Sequence, residues 1–93
     1  MRERELEKMF TVKVRKAGGI ALKLVSPGFD GMPDRLVLMP EGRVLFVELK
    51  RPGEKPRPLQ IARHRMLEAL GFAVFVVDSI EKLAEVLNAI QTA

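Results

Sequence analysis

Two acids and an amine, Asp34, Glu48 and Lys50, have the types and spacing to surround a single reacting phosphate in this 93-residue sequence. Asp34 follows Pro33 and opens a β-prone apolar run, residues 35–39. Glu48-Leu49-Lys50 closes a second run that begins at residue 44. Between them stands Pro40-Glu41-Gly42, where Pro suits the first central position of a type I turn and Gly the left-handed position after it. A three-residue loop there pairs Met39 with Arg43, and counting back along both strands sets Asp34 opposite Glu48. Directly opposed side chains in an antiparallel pair lie about 5 Å apart at Cβ. Carboxylates that close repel, and one pKa rises unless a cation sits between them. A divalent metal is the natural occupant. Lys50, two residues beyond Glu48, projects from the same face. Phosphodiester hydrolysis uses such a set. A hard divalent ion on carboxylates polarises the phosphoryl oxygen and lowers the pKa of bound water, and a lysine beside it holds that water or neutralises transition-state charge.

Other side chains could join this centre. Glu3 and Glu7 lie one turn apart on one flank of the first helix's apolar stripe; either could supply a third acid, or both could be ordinary exposed helix charges. Gln60 flanks the apolar face of the second long helix, where its amide could orient water or the lysine, or merely cap the helix. His64, one turn later, reads as a solvent-edge residue and is given no role. With no cysteine and a single histidine, thiolate and His-rich zinc sites are excluded. A metal would therefore sit on oxygen ligands, as Mg²⁺, Mn²⁺ or Ca²⁺ do.

These residues need a scaffold, and the chain is long enough for one domain, residues 1–93, with one core. Leu6, Met9, Phe10, Val14 and Ala17 recur at helical spacing over residues 2–17, and Gly18-Gly19 ends that helix. Residues 20–25 are β-like, and residues 26–33 form a Gly- and Pro-rich loop. The hairpin follows, then a second loop at residues 51–58. Pro58 opens a helix that runs to about Leu70, packs Leu59, Met66, Leu67 and Leu70, and stops before Gly71. Phe72 to Val77 reads as a fully apolar strand. Asp78 with Glu81 makes a capping box for a last helix that carries Ile80, Leu83, Leu87 and Ile90 inward. The order αβββαβα calls for an α/β fold with a mixed central sheet flanked by helices.

The net charge of +4 suits a polyanionic partner without demanding one. Arg51, Lys55, Arg57, Arg63 and Arg65 gather around the second loop and helix, next to the acids, where they could meet phosphates; Lys23 could do so from its strand. The chain has no Trp or Tyr, and its five Phe mostly fit the core, which argues against a base-stacking single-strand binder. The charged N-terminus is no signal peptide, and no apolar run approaches a membrane span, so an intracellular, cytoplasmic protein is expected.

The quoted residues resemble the PD-(D/E)xK nuclease superfamily. The wider string is Glu7-Lys8, Gly18-Gly19, Lys23 before Ser26-Pro27-Gly28, Gly31-Met32-Pro33-Asp34-Arg35, Val47-Glu48-Leu49-Lys50-Arg51-Pro52-Gly53 and Pro58-Leu59-Gln60. It is similar to stand-alone VRR-NUC domains, the virus-type replication–repair nucleases of phages and bacteria, over roughly residues 3–79. The resemblance implies a restriction-endonuclease-like αβββαβ core plus a C-terminal helix, and Mg²⁺- or Mn²⁺-dependent cleavage of DNA. It implies metal binding by Asp34 and Glu48, with Leu49 and Glu7 or Glu3 beside them. Lys50 would be the catalytic lysine and Gln60 the motif's glutamine, and Glu7 matches the helix-one glutamate best. Phosphate contacts are expected from Lys23, Arg35, Arg51, Lys55, Arg57 and Arg63. A homodimer acting on branched DNA such as four-way (Holliday) junctions is implied, with the bacterial or phage-infected cytoplasm as setting. The rival readings are a nonspecific or nicking nuclease, a catalytically silent DNA-binding module, and a small oligomeric structural protein with chance acids.

Overall fold

The computed structural model describes residues 2–92. Helix α1 (Glu3–Lys16) leads into strands β1 (Ile20–Lys23), β2 (Arg35–Met39) and β3 (Arg43–Leu49). Helix α2 (Pro58–Ala69), strand β4 (Ala73–Val77) and helix α3 (Ile80–Thr92) complete the chain. The sheet order is β1-β2-β3-β4, with antiparallel pairing throughout β1–β3 and a parallel β3–β4 pair. This is the mixed sheet flanked by helices that the sequence pattern called for. Among the described residues no helix is long and apolar enough to cross a membrane.

Alternation along β3 divides the molecule. Val47 and Leu49 point to one face, into a core with Leu6, Phe10 and Val14 of α1 and Leu83, Val86 and Ile90 of α3. Phe46 and Glu48 point to the other face, where α2 turns Gln60, His64 and Leu67 inward. Phe46 meets Phe72 edge to face, ring centroids 5.4 Å apart, a favoured aromatic geometry. One face is thus an apolar core under two helices. The other is half covered by a single helix whose buried stripe is partly polar.

Several expectations change in detail. Strand β1 ends at Lys23 rather than residue 25, although the Leu24 N–H still donates to the Asp34 carbonyl at 2.9 Å. The hairpin turn is not type I: Glu41 has φ 67° immediately before Gly42 at 72°. The pairing of Met39 with Arg43 is nevertheless as counted. Helix α3 is capped one residue later than expected. The Ser79 hydroxyl, not Asp78, accepts the Lys82 N–H at 3.1 Å, the usual reach from cap to third residue.

Of the α2 residues expected to pack, only Leu67 is buried; Leu59, Met66 and Leu70 are exposed. The inward stripe of α2 is instead 60, 64, 67, because the strand end beneath it carries Glu48 and attracts polar partners. On α3, Val86 is buried where Ile80 is not. Strand β4 is only partly covered, and Val77 alone of its residues is buried.

Candidate active site

The two acids meet because two strands bring them to one sheet end. Arg35 pairs with Val47, so Asp34, one step before, stands across from Glu48. Pro33, fully buried, and the Leu24–Asp34 bond hold the approach to β2. The Leu49 N–H donates to the Asp34 carboxylate, 3.2 Å from Oδ1 and 3.4 Å from Oδ2, which fixes that side chain against β3. The loop before Asp34 is seated on α2. A Cβ at Gly31, whose φ is +91°, would lie 2.8 Å from Leu59 Cγ and 3.1 Å from the Leu59 carbonyl; only glycine fits there without displacing the loop.

Glu48 is the hub. Its side chain is 5% exposed and faces four partners. Lys50 Nζ lies 3.8 Å from Oε2, and Gln60 Nε2 donates to Oε2 at 3.4 Å. His64 Nε2 lies 3.9 Å from Oε1, and the Asp34 carboxylate is close enough to act on the Glu48 one. Burial, followed by repulsion from Asp34, pushes the Glu48 pKa up to about 7, against a smaller pull from Lys50. Burial also raises Asp34, partly offset by the Leu49 N–H. Two neighbouring acids whose pKa values are both raised by burial form a site that favours a cation. The donor set is all oxygen on the acid side, as a hard divalent ion requires. Among the described residues no group of three acidic, His or Cys side chains closes around one point. The cradle is a pair of acids, open on one side.

The remaining candidates are sorted by the fold. Glu7 ion-pairs with Arg35, on the core side of the sheet. Glu3, one turn nearer the strand end, acts electrostatically on Asp34 and raises its pKa. Gln60 caps α2, its Oε1 accepting the Arg57 N–H at 2.8 Å, and its amide reaches Glu48 rather than the lysine. Lys50 is itself 9% exposed and anchored by its N–H to the Val77 carbonyl at 2.9 Å.

The basic residues divide as well. Lys23, Arg51, Lys55 and Arg57 are exposed, and Arg57 is close enough to oppose the rise at Glu48. Arg63 is tied to the loop before Asp34: its Nε donates to the Asp30 carbonyl at 2.8 Å and its guanidinium lies 3.9 Å from the Phe29 ring centroid. Arg35 must be withdrawn as a phosphate contact. It is 6% exposed and committed to Glu7, because odd positions of β2 face the core.

His64 is the residue that sequence reasoning misplaced. It is 8% exposed rather than at the solvent edge. The available signal was its spacing: four residues from Gln60 puts both on one helix face, so a Gln60 turned to Glu48 brings His64 along.

Comparison with known proteins fits this geometry. No family model matches the chain. It is 52% identical over 90 residues to "Putative nuclease p44" of Acyrthosiphon pisum secondary endosymbiont phage 1, covering 97% of this chain and 96% of that protein. It superposes on a solved structure described as a VRR_NUC domain with a TM-score of 0.87 and 33% identity, covering 92% of this chain and 94% of that one.

Proposed function

Since the chain belongs to the VRR-NUC family of nuclease-fold domains, we propose that it is a divalent-metal-dependent DNA endonuclease selective for branched DNA such as four-way junctions. The observation that carries the reading is the pairing of half-buried Asp34 with buried Glu48, with Lys50 beside them. Asp34 and Glu48, with Leu49 beside them, would hold a Mg²⁺ or Mn²⁺ ion, which would polarise the phosphoryl oxygen and acidify the attacking water. Lys50, already within 4 Å of Glu48, offsets the negative charge that grows on the phosphoryl group. Gln60 holds one Glu48 oxygen in place. Of the two helix-one acids, Glu7 is committed to Arg35 and Glu3 acts electrostatically on Asp34, which favours Glu3 as the third acid. Lys23, Arg51, Lys55 and Arg57 line up as phosphate contacts that orient the duplex without reading bases. The setting is the cytoplasm of a bacterial cell or phage-infected host.

The test is cleavage of a labelled four-way junction and its matched linear duplex with Mg²⁺, Mn²⁺ or chelator. Paired cuts near the branch point, lost with chelator, are expected. Equal cutting of the duplex turns the reading to a nonspecific or nicking nuclease, and junction binding without cutting under any metal turns it to a silent DNA-binding module.

The same reading includes a homodimer, supported by the uncovered half of the sheet. Ile20, Leu22, Leu36, Leu38 and Val44 share the face opposite the core through the register of β1, β2 and β3. Ile20 and Leu22 are about half exposed, at 56% and 43%. Monomers seldom leave such a patch open. Replacing both Leu22 and Leu38 with Glu is expected to convert a two-chain particle to one chain in light scattering, with the helical signal retained. A wild type that scatters as one chain refutes the dimer.

A further inference from the structure

We infer that His64 is a positioning residue for Glu48: its buried imidazole and the Gln60 amide bracket the two carboxylate oxygens and set the direction from which that carboxylate can meet a metal. The inference rests on the proposed role of Glu48 as a metal ligand.

Two observations carry it. First, His64 Nε2 and Glu48 Oε1 face each other at 3.9 Å, and both atoms are buried without a hydrogen-bond partner. A buried unpaired polar group costs about 1–3 kcal/mol. A shift of about 1 Å gives both a partner at ordinary hydrogen-bond length. Second, the other carboxylate oxygen already has its donor, Gln60 Nε2 at 3.4 Å. Residues 60 and 64 are one turn apart on one rigid helix, so they act as two prongs of one fork. The fork is anchored at its base, where Gln60 Oε1 accepts the Arg57 N–H, and by buried Leu67 one turn further. Nε2, when it carries the ring's proton, is a donor toward Glu48. A leucine or phenylalanine would fill the same space with no polar atom to satisfy, so packing alone does not account for an imidazole here.

Carboxylates that bind metals are commonly held by such outer hydrogen bonds, and losing one typically costs 10–100-fold in metal affinity or activity. The test is Mn²⁺ titration by calorimetry without DNA, alongside kcat, KM and thermal stability, for the wild type, His64→Leu and His64→Gln. His64→Leu is expected to weaken Mn²⁺ binding about 10- to 100-fold and to lower kcat while the KM for DNA stays unchanged. His64→Gln, whose amide donates from nearly the same place, is expected to recover most of both. Should His64→Leu fail to fold, His64→Phe keeps the ring, removes the donor and serves in its place. The inference is overturned if the apolar variant binds Mn²⁺ within twofold of wild type, or if the Gln variant is no better than the apolar one. Glu48→Gln in the same titration separates the two ideas. If it binds Mn²⁺ like wild type, the reading of Glu48 itself fails; if it alone loses the metal, only the role of His64 does.

Discussion

Glu48→Gln is expected to lower the metal-dependent cleavage rate about 10³-fold, the scale on which single charge-stabilising groups act at phosphoryl and acyl centres. The substitution keeps the shape of the side chain and its contact with Gln60, and removes the charge. Asp34→Asn is expected to have an effect of the same order, because Asp34 is held by the Leu49 N–H and shares the cradle. Lys50→Ala removes the amine 3.8 Å from Glu48 and is expected to slow cleavage while junction binding, measured by fluorescence anisotropy in Ca²⁺, stays close to wild type. Non-additivity would be informative. The Glu48→Gln, Lys50→Ala double variant is expected to be little worse than Glu48→Gln alone, since groups acting as one unit fail together. Full cleavage by either acid variant would remove the acid pair from the chemistry.

The same residue carries an opposite effect on stability. The Glu48 pKa rises from 4.5 to about 7 on folding. Between those values the folded protein holds a proton that the unfolded chain has released, so stability falls as pH rises through the window, and above about 7 the loss is complete. Below 4.5 both states are protonated and the group contributes nothing. A shift of this size corresponds to a loss on the order of 3 kcal/mol by pH 8. Asp34, raised in the same direction, adds to it. His64 works the other way: its pKa is lowered by burial, so acidification below its unfolded value costs stability.

The difference between Glu48→Gln and wild type isolates the carboxylate, because His64 is present in both. Thermal melts in chelator, at one protein concentration, are expected to coincide near pH 4.5. They should separate progressively up to about pH 7, with the Gln variant melting higher by several degrees or more at pH 8. Adding Mn²⁺ at pH 8 is expected to raise the wild type toward the variant and to leave the variant nearly unmoved. A Glu48→Gln protein no more stable than wild type at pH 8 would show that the acid pair is not strained in the metal-free fold. If the prediction holds, inactivation and stabilisation come from one substitution, the usual trade at a functional site.

The nearness of Asp34 and Glu48 was legible in the sequence because a hairpin is a local structure. A short turn fixes the register, and register fixes which side chains oppose; Met39 with Arg43 settles Arg35 with Val47 four residues away. The order of elements, the glycine stops at Gly18 and Gly71, and Pro58 at the start of α2 were readable for the same reason, since each depends on residues a few positions apart.

What remained undecided depended on contacts between distant segments. Helix periodicity puts Glu3 and Glu7 on one flank but cannot say where the helix lies along the sheet. Docking α1 through Leu6, Phe10 and Val14 sets Glu7 against Arg35 and leaves Glu3 toward Asp34. The pattern of α2 misled for a related reason. Its leucines and methionine suggested an apolar inner face, yet it lies over the sheet end that carries Glu48, and its buried stripe became Gln60, His64 and Leu67. Arg35 looked like one more surface cation, until strand alternation turned it toward the core. Local spacing thus determined which residues could meet, and the packing of helices on the two sheet faces decided which of them did, because burial of a charged or polar group is settled by whatever lies across from it.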